Sequence, residues 1–290
     1  MIKFANVSKV FKKNRVLDST DLEIQPGERI ALVGSNGAGK TTLIRCLLGE
    51  YIHDGSVTVQ GLAPRRNRTQ VLATIGFVPQ LPPPLKMPVG QLIDFASSVC
   101  NSERRRMVDI AARLGLDAAT VERLPFNKLS GGMKQKLLIA IALGRDSKIL
   151  VMDEPAANLD PEARHIFFQL LAERLENTTM LISSHRLDEV ASLVNRVLEL
   201  DRGKVVLDDR VADDATLSGL LACRLMLRRP EPAIAKTLAS WKFSDMGNGA
   251  EWEGKVDSAD RLRFLGMLSR YVGVLTHISL NEIPADAGQP

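Results

Sequence analysis

The chain has 290 residues, 45% of them hydrophobic, and a formal net charge of +4 from 38 basic and 34 acidic residues. That length and apolar content suffice for one large core and a smaller appendage. With no aromatic-rich basic groove beside the modest positive charge, no nucleic-acid partner is expected. Three cysteines, Cys46, Cys100 and Cys223, show neither metal-ligand spacing nor a disulfide framework, which suits small buried hydrophobes in a reducing compartment. Met1 to Asn6 carry no signal-peptide pattern, and no run of about eighteen apolar residues offers a membrane span.

In chain order, Ile2 to Phe4 and Val16 to Ile24 read as strands. Ile30-Ala31-Leu32-Val33 is a third, and it runs into Gly34-Ser35-Asn36-Gly37-Ala38-Gly39-Lys40-Thr41. A helix-like run from Thr42 to Leu48 follows and stops at Gly49. The eight residues match the P-loop pattern G-x-x-x-x-G-K-[ST] in the strand–loop–helix setting it needs. The glycines let backbone N–H groups turn in on phosphate oxygens, and the helix N-terminus adds a favourable dipole. Lys40 is expected to reach the β- and γ-phosphates and the Thr41 hydroxyl to hold Mg²⁺, with Thr42 beside them.

Val57 to Val59 reads as a further strand of an antiparallel region around the P-loop strand. Arg65-Arg66-Asn67-Arg68 and Arg104-Arg105-Arg106 are basic clusters that suit solvated faces, anionic headgroups or an acidic partner loop. Leu81-Pro82-Pro83-Pro84 through Pro88 can continue neither a helix nor a central strand, so it is a loop. Helices are expected over Val89 to Cys100, Glu103 to Leu114 and about Ala118 to Arg123. Leu129-Ser130-Gly131-Gly132-Met133-Lys134-Gln135 then opens the apolar run Leu137 to Leu143. Ser130 suits an N-cap, and Gly131 and Gly132 leave the backbone bare at a helix start, which makes a second anion site. Such a site makes sense if it completes a nucleotide bound to another subunit.

Ile149 to Met152 reads as a buried parallel strand ending in Asp153-Glu154-Pro155. The carboxyl end of such a strand faces the ligand crevice of an open α/β sheet. Asp153 is expected to hold Mg²⁺ through its water shell, and Glu154 to polarise the attacking water as general base. A helix over Pro161 to Leu175, a strand over Met180 to Ser183 and a hairpin over Val197 to Leu207, turning at Asp201-Arg202-Gly203, complete this part.

These motifs together resemble the ATP-binding subunit of a bacterial ABC transporter, over residues 1–210. Met133 departs from the family's LSGGQ at its last position. The resemblance implies an α/β P-loop ABC ATPase cassette: a mixed sheet core, an antiparallel β region and a helical subdomain. It also assigns further roles. Phe11 takes the place of the aromatic that stacks on adenine, although a core Phe fits the sequence as well. Gln80 takes the place of the Q-loop glutamine, which touches Mg²⁺ and the water. Asp160, in Ala156-Ala157-Asn158-Leu159-Asp160, belongs to a D-loop along a dimer interface. His185 matches the switch histidine that bonds the γ-phosphate.

From Lys40 to Ser130 is 130 − 40 = 90 residues with no sustained heptad, and the chain has one P-loop and one signature. The transporter branch of the family is therefore expected. The cofactors implied are ATP and Mg²⁺. The implied partners are a second copy, in a homodimer closing around two ATP, and a separately encoded integral-membrane permease. The implied location is cytoplasmic, peripheral on the inner face of the cell membrane. The alternative is a non-transport ABC ATPase that regulates or assembles a soluble partner. The proline loop is then either a permease-docking loop or a spacer.

Residues 211–221 read as a linker and 222–290 as a small α+β domain. Cys223 to Arg228 alternates like a strand, Pro232 to Trp241 is helical, and a hairpin is expected around Met246-Gly247-Asn248-Gly249. Ser258 to Tyr271 has helical periodicity and Val272 to Leu280 strand character. The order βαββαβ suggests a ferredoxin-like arrangement. Accessory domains of this size resemble those on bacterial exporter ATPases.

Overall fold

The computed structural model describes residues 1–175, 178–185, 187–210, 220–257, 260–268, 271 and 274–282. Residues 258, 259, 269 and 270 of the expected tail helix lie outside these residues, as do 272 and 273 at the start of the expected last strand, most of the expected linker (211–219) and the closing stretch 283–290. β1 (Ile2–Phe11) and β2 (Asn14–Ile24) form an antiparallel hairpin. Ile2 and Phe4 point into the core while Lys3 points out, as a half-buried strand requires. The alternation slips at Asn6, whose φ of +52° marks a bulge, and Val7 returns to the core one residue late. Asn tolerates that left-handed turn, and its N–H is held by the Asp21 carboxylate at 2.8 Å.

β3 (Arg29–Val33) leads through the glycine-rich loop into α1 (Lys40–Leu47). β4 (Asp54–Val59) returns to pair with the far side of β1. The three-stranded antiparallel sheet thus has the order β2-β1-β4 and is separate from the sheet that holds β3. α2 (Arg68–Ala73) and β5 (Ile75–Val78) follow. Sequence periodicity gave no sign of α2. With Val71 as its one buried residue, it is tied down by Arg68, whose guanidinium donates to the Leu48 carbonyl at 3.0 Å.

α3 (Val89–Cys100), α4 (Arg104–Arg113), α5 (Ala118–Val121) and α6 (Gly131–Gly144) enclose their own core, including Val89, Ile93, Met107, Phe126 and Leu137. β6 (Ile149–Asp153) is buried throughout, followed by α7 (Pro161–Ala172), β7 (Thr179–Ser183) and α8 (Leu187–Val190). β8 (Arg196–Asp201) and β9 (Lys204–Arg210) form the closing hairpin. The large sheet has the order β5-β6-β7-β3-β8-β9, parallel except for the β9 edge. The loops after β3, β5, β6 and β7 therefore leave its carboxyl edge, where open α/β sheets bind ligands.

β10 (Leu220–Leu227), α9 (Pro232–Ser240), β11 (Ser244–Asp245), β12 (Glu251–Asp257), α10 (Arg261–Leu268) and β13 (Leu275–Glu282) make a second α+β body. Its antiparallel sheet has the order β11-β12-β10-β13, the ferredoxin-like arrangement. Phe264 stacks on Phe243 at 5.0 Å in a core with Leu225, Ile234 and Trp252. The hairpin turn is held by the Asp245 carboxylate, which accepts from the N–H groups of Gly247 and Gly249.

The chain divides into two compact units, Met1–His185 with Leu193–Arg210, and Arg186–Ser192 with Val211–Pro290. α8 thus belongs with the second unit, in which it packs against α10. No helix among the described residues is long and apolar enough to cross a membrane.

Candidate nucleotide site

A cavity of about 380 Å³ opens at the carboxyl edge of the large sheet, lined by Val16, Ser35, Asn36, Gly37, Gly39, Lys40, Thr41, Thr42, Gln80 and Glu154. Local chemistry explains the loop that frames it. Gly34, at φ +144°, passes so close to the Leu200 carbonyl that a Cβ would lie 2.3 Å from its oxygen. Gly39, at φ +113°, approaches the Val16 carbonyl in the same way. Both positions need glycine for the backbone angle and for the space. Ala38 is buried under the loop, and its carbonyl accepts from Gly203 N–H at 2.9 Å. The Lys40 ammonium, almost buried, donates to the carbonyls of Gly34 at 2.7 Å and Ser35 at 3.2 Å, across the mouth of the loop.

Two acids stand at the end of β6. Asp153 is buried, and its carboxylate accepts from the Ser183 hydroxyl at 2.6 Å. The same hydroxyl accepts from Glu154 N–H at 2.9 Å. Ser183 therefore fixes both acids at once. Sequence reading missed it, because at the end of β7 it looked like ordinary strand termination; only the structure shows it fully buried beside the crevice. Glu154 takes a left-handed φ of +46°, and its carboxylate accepts from the Gln80 amide at 3.2 Å. His185 Nδ1 lies 3.7 Å from the same carboxylate oxygen, on a side chain that is more than half exposed. Gln80, Glu154 and His185 thus come together from the ends of three neighbouring strands.

The remaining candidates lie elsewhere. Phe11 is 39% exposed, which removes the core alternative, and it is not among the cavity-lining residues. Its ring meets Tyr51 edge-on at 5.2 Å, and the Lys9 ammonium sits 4.6 Å from its centroid. Val16 is the hydrophobic wall that sequence reading did not single out. Ser130 caps α6, accepting from Met133 N–H at 3.2 Å, with Gly131 and Gly132 in the first turn; none of the three lines the cavity of its own subunit. Asp160 caps α7, accepting from Ala163 N–H at 2.8 Å, and its carboxyl is held below the ordinary range, first by the Lys136 ammonium.

Among the described residues, no group of three or more His, Cys, Asp and Glu side chains is positioned to hold a metal ion. The side-chain oxygen donors at the cavity include the Thr41 hydroxyl, the Gln80 amide and the Glu154 carboxylate, and the adjacent Asp153 is buried at the end of β6. Such a sparse, hard donor set suits Mg²⁺, which keeps several waters and shares its shell with substrate phosphates.

A glycine loop before a helix, at the carboxyl edge of a largely parallel sheet, with two acids ending a neighbouring strand, defines a P-loop ATPase. Residues 17–157 match the family described as ABC transporter. The chain is 32% identical over 247 residues to Nod factor export ATP-binding protein I of Paraburkholderia xenovorans (strain LB400), covering 81% of this chain and 79% of that protein. It is 34% identical to the protein of the same name from Cupriavidus metallidurans (strain ATCC 43123 / DSM 2839 / NBRC 102507 / CH34), covering 72% and 71%. Among solved structures, an ATP-binding subunit of an ABC transporter superposes with a TM-score of 0.67 at 22% identity, covering 73% of this chain and 91% of that one. A dimeric ATP-binding cassette in a post-hydrolysis state, bound to ADP and Pi, superposes at 0.65 and 24% identity, covering 74% and 100%. The chain belongs to the ABC transporter family and is the ATP-binding, ATP-hydrolysing subunit of such a transporter.

Proposed function

We propose that this subunit dimerises around two ATP, that it powers a separate integral-membrane permease from the inner face of the membrane, and that the transporter is an exporter. The export assignment is supported by the relatives named for export. The convergence of Lys40, Thr41, Gln80 and Glu154 on one cavity is the observation that carries the catalytic reading. Backbone N–H groups of residues 34–41 and the Lys40 ammonium bind and orient the phosphates. Thr41, Gln80 and Asp153 would hold Mg²⁺, which would supply charge neutralisation at the phosphates. Glu154 takes the proton of the attacking water, and His185 donates to the γ-phosphate beside it. Phe11 offers the adenine a ring face. Ser130, Gly131 and Gly132 cover the nucleotide of the partner copy, with Asp160 running along the interface. Residues 1–185 with 193–210 form the cassette, and the accessory unit, which tunes the dimer, takes in 186–192 as well as the tail; the expected boundary at 222 moves back to Leu220, where β10 begins.

Glu154→Gln is expected to keep ATP binding and to lower phosphate release by about two orders of magnitude, the loss expected with a general base. In that background ATP should shift the protein to a dimer in size-exclusion chromatography. Ser130→Arg should abolish the dimer while nucleotide stays bound. Near-normal turnover by Glu154→Gln would falsify the base assignment.

A further inference from the structure

The signature helix and the loop behind the candidate base are joined within one subunit by three contacts. The Gln135 amide, fully buried, donates to the Pro155 carbonyl at 3.0 Å. The Lys136 ammonium, on a side chain only 14% exposed, pairs with the Asp160 carboxylate at 2.8 Å. Gly132 passes so close to the Asn158 carbonyl that an added Cβ would lie 3.2 Å from its oxygen. The loop they grip is short and internally braced. Ala157 N–H donates to the Glu154 carbonyl at 3.3 Å and Leu159 N–H to the Ala156 carbonyl at 3.2 Å. The Arg164 guanidinium, from α7, donates to the carbonyls of Leu159 and Ala156.

We propose that Gln135 and Lys136 form a latch that couples the two nucleotide sites of the dimer, with Lys136 as a positioning residue for Glu154. The proposal rests on the reading of a closed dimer given above. In that dimer Ser130 touches the partner's nucleotide, whereas Glu154 serves the subunit's own. α6 is a continuous helix, so a displacement of its first turn by the partner's ATP is carried to Gln135 and Lys136. From there it passes to residues 155–160 and to Glu154. Closing one site thereby sets the base of the other. Lys136 is not among the residues that line the cavity, so its part is separable from nucleotide binding.

The test is ATP turnover against ATP concentration for the full chain, beside the affinity of a fluorescent ATP analogue and thermal melting. The unaltered protein should show a Hill coefficient clearly above about 1, the sign of two coupled sites. Lys136→Met should bring it to about 1 and lower kcat about tenfold, the scale of a typical coupling between sites. Analogue affinity and melting temperature should stay unchanged, and Lys136→Arg should restore both cooperativity and kcat. An unaltered protein that is not cooperative, or a Lys136→Met variant that keeps its Hill coefficient and kcat, overturns the latch. So does a Lys136→Met variant whose defects follow a drop in melting temperature. Normal turnover by Glu154→Gln would instead strike the catalytic reading, so the two failures are told apart.

Discussion

Glu154 holds a backbone angle that a side-chain-bearing residue adopts only against steric resistance, at φ +46°. Its N–H is fixed by the Ser183 hydroxyl and its carboxylate by the Gln80 amide, so the surrounding bonds compel the turn. A left-handed residue of this kind costs about 1–2 kcal/mol relative to glycine, part of which returns through the looser unfolded chain. Glu154→Gly should therefore be no less stable than the unaltered protein while losing essentially all turnover. Urea titration beside phosphate release checks both halves. A clear loss of stability would mean that the carboxylate contributes more to the fold than its backbone strain removes. At this scale much of the site was legible, because the P-loop and the Asp153-Glu154 pair are runs of consecutive residues with a fixed chemistry. Ser183 and Val16 were not. Each acts through its place on a neighbouring strand, and neither has a distinctive sequence signal of its own.

The closing hairpin shows how an element is secured by charge. Arg196 on β8 is 3% exposed, and its guanidinium grips the Asp208 carboxylate of β9 with two bonds of 2.7 Å. Its third nitrogen reaches Glu28 at 2.6 Å and the Glu23 carbonyl at 2.7 Å, which ties the hairpin to the turn before β3. Arg196 is the first cause holding the Asp208 carboxyl below its ordinary range. With the folded value lowered, the unfolded chain binds the proton more readily. The pair's stabilisation is whole above the ordinary carboxylate value and is lost as pH falls through the lowered one. Asp208→Asn should be less stable near neutral pH, and the gap to the unaltered protein should narrow as pH drops from about 6 to about 3. Urea midpoints across that range give the answer; a constant gap would show that Arg196 is balanced by Glu28 alone. Elements with strong periodicity, such as α3 and α7, could be read closely from the sequence. α2 and α8 could not, since six and four residues are too few to show a helical stripe.

At the scale of the molecule, every ATPase motif lies in the first unit, while the second has its own sheet and core. A chain ending at Arg210 should still bind ATP at the P-loop. It also leaves α8 without α10, and α8 begins two residues after His185. Basal turnover of that truncation should therefore change by several-fold while nucleotide affinity holds, as coupling of about 1 kcal/mol between a switch and its support would give. Turnover and analogue affinity measured beside the full chain decide it. Loss of ATP binding in a truncation that keeps its circular dichroism would show that the two parts are one catalytic body. The ferredoxin-like order could be anticipated from the sequence of elements in the tail. That α8 belongs with the tail could not, because the contact joins α8 to residues more than seventy positions further along the chain.

The chain thus enters its second unit twice, first at 186–192 and again from 211. Along the sequence the two units alternate, and neither is one unbroken stretch of chain. A recombination event with a single breakpoint near 210 would deliver the tail but strand the helix it grips in the parent cassette. Inheritance of a working pair requires two breakpoints, or a cassette that already carries a matching α8. Exchange of such tails between cassettes should accordingly succeed only when the short segment behind the histidine travels with them.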